Sequence, residues 1–234
     1  MADRAPRTPR PSGRSGQQLS KEAIVRTAIR LLDTDGVSRF SMRRLAAEMG
    51  VGTMSIYWYF PSKGAIFDAV VEAVLSGFRA PAASNQPWDE RVARLFRQLR
   101  AQSLEHPGVA AIWSSGRLPG VMILNVTEYG LALMAEAGFG EFEAVQAYRS
   151  LLFHTLGMIQ LQTDPWPHVQ DSSALDRYSS ALDELDPNAA PHMTRSLEHM
   201  AVFEWDLIFE RGLSALIQAL ALSVGQQMVG WPLG

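Results

Sequence analysis

Apolar positions recur along this chain at intervals of three and four, and no stretch alternates with a period of two. The pattern predicts an all-α protein of nine or ten helices and no sheet. Ser20 opens the first helix, whose inner face carries Ile24, Ala28, Leu31 and Leu32 and which closes at Asp33-Thr34-Asp35-Gly36. Ser41 caps a second helix with Leu45, Ala46 and Met49 on one face. Gly50 breaks it and Val51 plugs the turn. Thr53 is expected to cap a short third helix, with Ile56 and Phe60 four apart and Pro61 as its end. Ser62 starts a fourth, running to about Phe78, with Ile66, Phe67, Val70 and Val74 inward.

Beyond a Pro/Ser/Asn loop at 81–87, an amphipathic helix is expected from Trp88 to about His106. Val92, Leu95, Phe96 and Leu99 face in, and Arg91, Arg94, Arg97 and Arg100 form a solvated face. Its acidic start and cationic later half suit the helix dipole. Pro107 opens a short helix, and another spans about Val121 to Ala137, stopped by Gly138 and Gly140. A strongly apolar helix covers Glu141 to about Leu161. Residues 163–191 read as loop with one helix near Leu175 to Leu185, and a single last helix is expected from Met193 to Val224. These elements divide the chain into a basic arm at 1–18, a three-helix unit at 19–64 and a helical bundle at 65–234.

The pattern of residues 41–63, SMRRLAAEMGVGTMSIYWYFPSK, changes what the unit is for. A helix, a glycine turn and a second short helix make a helix-turn-helix, whose second helix enters the DNA major groove. Charge supports the same end of the chain. The net charge is −3, but residues 1–64 carry +6 and residues 65–234 carry −9, so a polyanion partner is expected at the N-terminal end alone. The arm holds Arg4, Arg7, Arg10 and Arg14 among prolines and glycines. It is read as a solubilising tail, with a minor-groove contact as the alternative.

Other classes find less support. There is no cysteine, which removes disulfides, thiolate metal sites and a cysteine nucleophile and suits the cytoplasm. No uninterrupted apolar run reaches membrane-spanning length, so no membrane partner is expected. The chain lacks a Gly-rich phosphate loop, a nucleophile elbow and His/Glu metal spacing, and its five histidines do not cluster, so neither an enzyme, a cofactor nor a metal is expected.

The sequence resembles the TetR family of transcriptional regulators. The likeness is densest over residues 20–70, in the Leu-Ala-Ala-Glu-Met-Gly-Val stretch and the Tyr-Trp-Tyr-Phe-Pro-Ser-Lys run. His106-Pro107, Leu118-Pro119-Gly120 and the closing FEWDLIFERGLSALIQAL are similar to the tetracycline-repressor-like branch. Tyr59 stands where the family often has a histidine. The resemblance implies a homodimer joined through the helices near 141–161 and 193–222. It also implies a palindromic double-stranded DNA operator and a small-molecule effector in the C-terminal half. The alternatives are a DNA-binding regulator controlled by a protein partner and, behind it, a helical enzyme.

Base edges are expected to meet Thr53, Met54 and Ser55, and phosphates to meet Arg43, Tyr57, Tyr59 and Lys63. Trp58 belongs to the same set, either outward or in the core, and Arg44 is left as a surface residue. For the effector, the candidates are His106, Trp113, Met122, Asn125, Phe153, His154, Met158 and Trp166, polar or aromatic positions on otherwise apolar helices. His106 is also a histidine before a proline, which is more often a helix cap.

Overall fold

The computed structural model describes residues 19–77, 86–114, 121–163, 173–185, 189–200 and 202–225. All regular structure among them is helical: α1 (Lys21–Arg39), α2 (Met42–Met49), α3 (Thr53–Tyr57), α4 (Lys63–Leu75), α5 (Trp88–Glu105), α6 (Pro107–Ser114), α7 (Val121–Glu136), α8 (Glu141–Thr163), α9 (Ser173–Asp183), α10 (Pro191–Met200) and α11 (Trp205–Gly225). The arm at 1–18 lies outside the described residues.

The caps form as the side chains dictate. Ser20, Ser41 and Ser62 each accept an N–H three residues on, at 3.2, 3.1 and 3.1 Å. Gly36 (φ 76°) bends α1 near its end, and Gly50 (φ 67°) turns α2 into α3. Thr53 is not a cap: Gly52 occupies that position and α3 starts without a side-chain bond. Ile24, Leu32, Leu45, Ile56 and Ile66 have no or almost no exposure, so α1 to α4 close around one core.

That core is continuous with the C-terminal half. α6 packs on α1 and α4, α5 on α7 and α8, and α8 on α11. Phe96, Leu99, Leu133, Met134, Leu151, Phe209 and Leu213 fill the bundle. Gly130 sits under the Tyr148 ring, where a side chain would collide with it.

Two further expectations fail here. The last helix is two: residues 202–204 are non-helical between α10 and α11, with no proline or glycine to signal the break. α10 pairs with α9 while α11 pairs with α8 and α5, and one straight rod cannot serve both directions. The arginines of α5 are not a plain solvated face. Arg91 and Arg100 side chains are each 11% exposed and reach Glu136 of α7 and Asp206 of α11, both at 2.7 Å. Arg97 forks onto Glu210 of α11.

α11 is also the one described helix long and apolar enough to cross a membrane by length and composition, with mean hydropathy 1.5 over Trp205–Val224. One flank of it buries Phe209, Leu213 and Ile217. The opposite flank exposes Ile208 and Leu222, and α8 beside it exposes Phe142 and Phe153.

Candidate nucleic-acid interface

The α2–α3 unit presents its short second helix outward. Ile56 and Phe60 hold α3 to the core, at 0% and 7% exposure. The rest of that helix therefore points away: Met54 is 71% exposed, Trp58 87% and Tyr57 is also exposed. Trp58 caps the C-terminal end of α3 and is outward, which resolves its sequence ambiguity. Thr53 and Ser55 are half-buried at the helix start. Arg43 is exposed on α2 and forms no ion pair among the described residues. Arg44 is committed to Asp35 at 3.0 Å, and Arg30 to Glu48 at 2.9 Å.

Two residues expected on phosphates are used inside the unit. The Lys63 ammonium donates to the Phe40 carbonyl at 2.7 Å and, less directly, to Val37 at 3.4 Å. It also stands 5.6 Å and 5.1 Å from the centroids of the Phe40 and Phe67 rings. Lys63 thus ties the start of α4 to the α1–α2 turn, at carbonyls no helix bond satisfies. The Tyr59 hydroxyl donates to the Leu19 carbonyl at 2.9 Å and pins the residue just before the Ser20 cap to the end of α3. Neither role shows in the spacing, because both partners are backbone carbonyls far away in sequence.

The contact between the two halves turns on an acid that sequence reasoning passed over. Asp33, near the end of α1, receives the Gly108 N–H at 3.1 Å and the His106 ring Nδ1 at 2.9 Å. The His106 carbonyl accepts from Val109 and Ala110, so the backbone of His106 caps α6 while its ring is engaged by Asp33. Asp33 supplies a carboxylate to the same helix start, where orphan N–H groups and the dipole favour it. Gly108 makes this approach possible: a Cβ there would overlap the Leu32 carbonyl and stand 2.7 Å from the Asp33 amide nitrogen.

The expected effector residues whose side chains are described lie in different places. Asn125 is exposed and Phe153 is 64% exposed on the outer flank of α8, so neither faces the interior. Met158 is buried in the core. His154 lies between α8 and α11, its Nε2 donating to the Phe209 carbonyl at 3.1 Å and its ring stacked on Phe209 against Gly212. The side chains of Trp113 and Met122, and all of Trp166, lie outside the described residues. An open, polar groove of about 430 Å³ runs between α5 and α11, lined by Asp89, Glu90, Arg94 and Arg97. Among the described residues no group of three or more His, Asp or Glu side chains is placed to hold a metal.

Several titrations follow from these contacts. The hydrogen bond from Arg97 holds the Glu210 carboxyl below its ordinary value and raises Arg97 in turn. Arg91 is raised by the neighbouring Tyr129 hydroxyl and then by its bond with Glu136. Burial pushes the Tyr148 phenol up, against a hydrogen bond with Thr127.

Comparison with known proteins agrees with this arrangement. Residues 24–70 match the model described as bacterial regulatory proteins, tetR family, and residues 80–223 match the tetracyclin repressor-like C-terminal domain. An HTH-type transcriptional regulator of Saccharopolyspora erythraea is 29% identical over 93% of this chain and 91% of its own. The class C tetracycline repressor of Escherichia coli is 29% identical over 87% of this chain and 91% of its own. Among solved structures, the Streptomyces coelicolor TetR family protein ActR in complex with actinorhodin superposes with a TM-score of 0.76. It is 26% identical, covering 89% of this chain and all of the other. With the C-terminal model spanning most of the chain and the N-terminal one lying over the helix-turn-helix, the protein belongs to the TetR family of DNA-binding transcriptional regulators.

Proposed function

We propose that the protein is a homodimeric repressor that leaves a palindromic operator when a small, largely apolar polycyclic molecule enters its C-terminal half. The observation that carries the DNA side is α3. Its buried face is only Ile56, while Met54, Tyr57 and Trp58 stand in solvent, and the exposed Arg43 of α2 forms no ion pair among the described residues. Exposed large apolar side chains of this kind need a partner surface. Met54 and Thr53 methyls suit thymine, the Thr53 and Ser55 hydroxyls suit several base edges, and Arg43, Tyr57 and Trp58 suit the sugar-phosphate backbone.

The dimer reading rests on the outward flanks of α8 and α11. Phe142, Phe153, Leu207, Ile208 and Leu222 are all exposed large apolar residues on this helix pair. A second copy covering this flank would form a four-helix interface, and its two-fold axis would set two reading helices about one DNA turn apart, roughly 34 Å or a small multiple.

The effector class is supported by relatives: actinorhodin for ActR and tetracycline for the repressors of that name. Release then follows from population shift. The effector favours an arrangement of α6 and α4 in which the reading helices no longer match the groove spacing. α4 follows α3 directly and packs on α6, so it is the lever between the two. The test is anisotropy of a labelled duplex selected from a random pool by the full chain. Titration with tetracycline and with actinorhodin is expected to lower duplex affinity for at least one compound that calorimetry shows to bind. A compound that binds while duplex affinity stays constant refutes the release mechanism.

A further inference from the structure

We propose that α3 selects its operator through thymine methyl groups, with Met54 setting the base preference; this rests on the DNA-binding reading of α3 above and names the base that the helix recognises. Successive residues of a helix are about 100° apart around its axis. Ile56, at 0% exposure, marks the inward direction of α3. Met54 and Trp58 stand two residues to either side of it, so each lies about 160° away and the pair forms the outermost ridge. Trp58 shares that ridge because its backbone is still helical, at φ −62° and ψ −32°. The exposures agree, at 71% for Met54 and 87% for Trp58. Nothing beside Met54 competes with it in the first turn. Gly52 at the N-cap has no side chain, and Thr53 and Ser55 are half-buried.

The ridge opposite the core is the part of a reading helix that goes deepest into the major groove, and its N-terminal end meets the base edges. Met54 therefore stands against the groove floor, and Trp58, at the other end, against the sugar-phosphate wall. That position restricts what Met54 can read. A thioether has no proton to donate and accepts only weakly. The major-groove edges of the bases offer acceptors, amino donors and a single apolar group, the C5-methyl of thymine. Pressed against Met54, the polar edge of a G·C pair loses water and gains no partner, which is unfavourable. The thymine methyl gains an apolar contact instead. The three rotatable bonds of the methionine side chain let its sulfur and terminal methyl follow that group. The Thr53 and Ser55 hydroxyls on either side suit several bases, so they add affinity more than preference.

The experiment starts from a duplex selected from a random pool by the full chain. Each thymine of its half-sites is replaced in turn by deoxyuridine, which removes the methyl and leaves pairing and the minor groove unchanged. Anisotropy is expected to find one symmetry-related pair of positions where losing both methyls weakens binding roughly 15-fold, about fourfold per methyl, as for one buried carbon. The slope against salt stays the same at that pair, because no charge is lost. Met54→Leu is expected to keep the deoxyuridine penalty. Met54→Ala is expected to abolish most of it, with an unchanged circular dichroism spectrum, so the coupling belongs to that side chain and that methyl. Met54→Gln, whose amide pairs bidentately with adenine, is expected to select adenine at the same two positions. Deoxyuridine tolerated at every position overturns the proposal. An undiminished penalty in Met54→Ala does the same, and so does a Met54→Gln chain that selects the original sequence. A chain that selects no duplex at all refutes the DNA reading of α3 instead, so the two failures are distinct.

Discussion

Gly108→Ala is the sharpest test of how the two halves are joined. The new methyl would overlap the Leu32 carbonyl and sit 2.7 Å from the Asp33 nitrogen, and both obstacles are backbone. Ordinary carbon contacts are about 3.5–4.0 Å, so α6 must retreat by about 1 Å. A gap of that size forfeits a quarter to a half of each dispersion contact along the dock. Val109 and Ile112, at 4% and 2% exposure, carry that surface, and full burial of each is worth about 1.5–3 kcal/mol. Retreat also stretches the 3.1 Å bond from Gly108 to Asp33, a bond to a charged acceptor worth about 1.5–3 kcal/mol. Against this stands a helix-propensity gain of about 0.5–1 kcal/mol. The net expectation is a loss of about 2–3 kcal/mol. In a chain of 234 residues that lowers Tm by roughly 5–10 °C. Urea and thermal unfolding at fixed protein concentration measure it, since any dimer makes stability concentration-dependent. Unchanged or increased stability would refute the backbone-to-backbone dock of α6 on α1.

Lys63→Met is expected to lower stability by about 1–3 kcal/mol, since it leaves the Phe40 carbonyl unpaired, while shifting the DNA salt slope by less than one unit; a shift near one unit would return Lys63 to the phosphates. Arg43→Ala should weaken binding to every duplex and reduce that slope by about one, as read by anisotropy. Phe153→Glu with Leu222→Glu is expected to halve the sedimenting mass and abolish operator binding while circular dichroism stays helical; a persistent dimer would move the interface elsewhere. Glu210 is held below its ordinary value of 4.5, so its pair with Arg97 contributes stability that is fully present above that value and is lost as pH falls through the lower folded value. Because both side chains are partly exposed the contribution is under about 1 kcal/mol, and Glu210→Gln should flatten the acid limb of the stability profile by that amount. An unchanged acid limb in that variant would remove the pair from the ledger.

The helices were legible wherever a cap, a glycine turn and an apolar face coincide, as at Ser41, Gly50 and Leu45. α3 was legible in its exposed residues because Ile56 and Phe60 already named its buried side. The gap between α10 and α11 was not, since the apolar period runs on through it and only the pairing of each helix with a different neighbour separates them. The internal bonds of Lys63 and Tyr59 were not legible, because a cation or a hydroxyl near a reading helix has the same local signature whether it meets a phosphate or a distant carbonyl. Asp33 was hidden for the same reason: nothing near it in sequence foretells a helix start 75 residues on. The effector side was least legible. Polar residues on apolar helices serve helix contacts as readily as cavities, and His154, packed between Phe209 and Gly212, is one that does.

The most direct test of the central account is the stoichiometry and salt dependence of the full chain on its selected duplex. Two chains per palindromic duplex, an affinity that falls steeply with salt, and sequence preference that changes when Ser55 or Met54 is replaced are the predicted results. A duplex bound with the same affinity and sequence preference after Arg43, Met54, Ser55 and Trp58 are all replaced by alanine would contradict it.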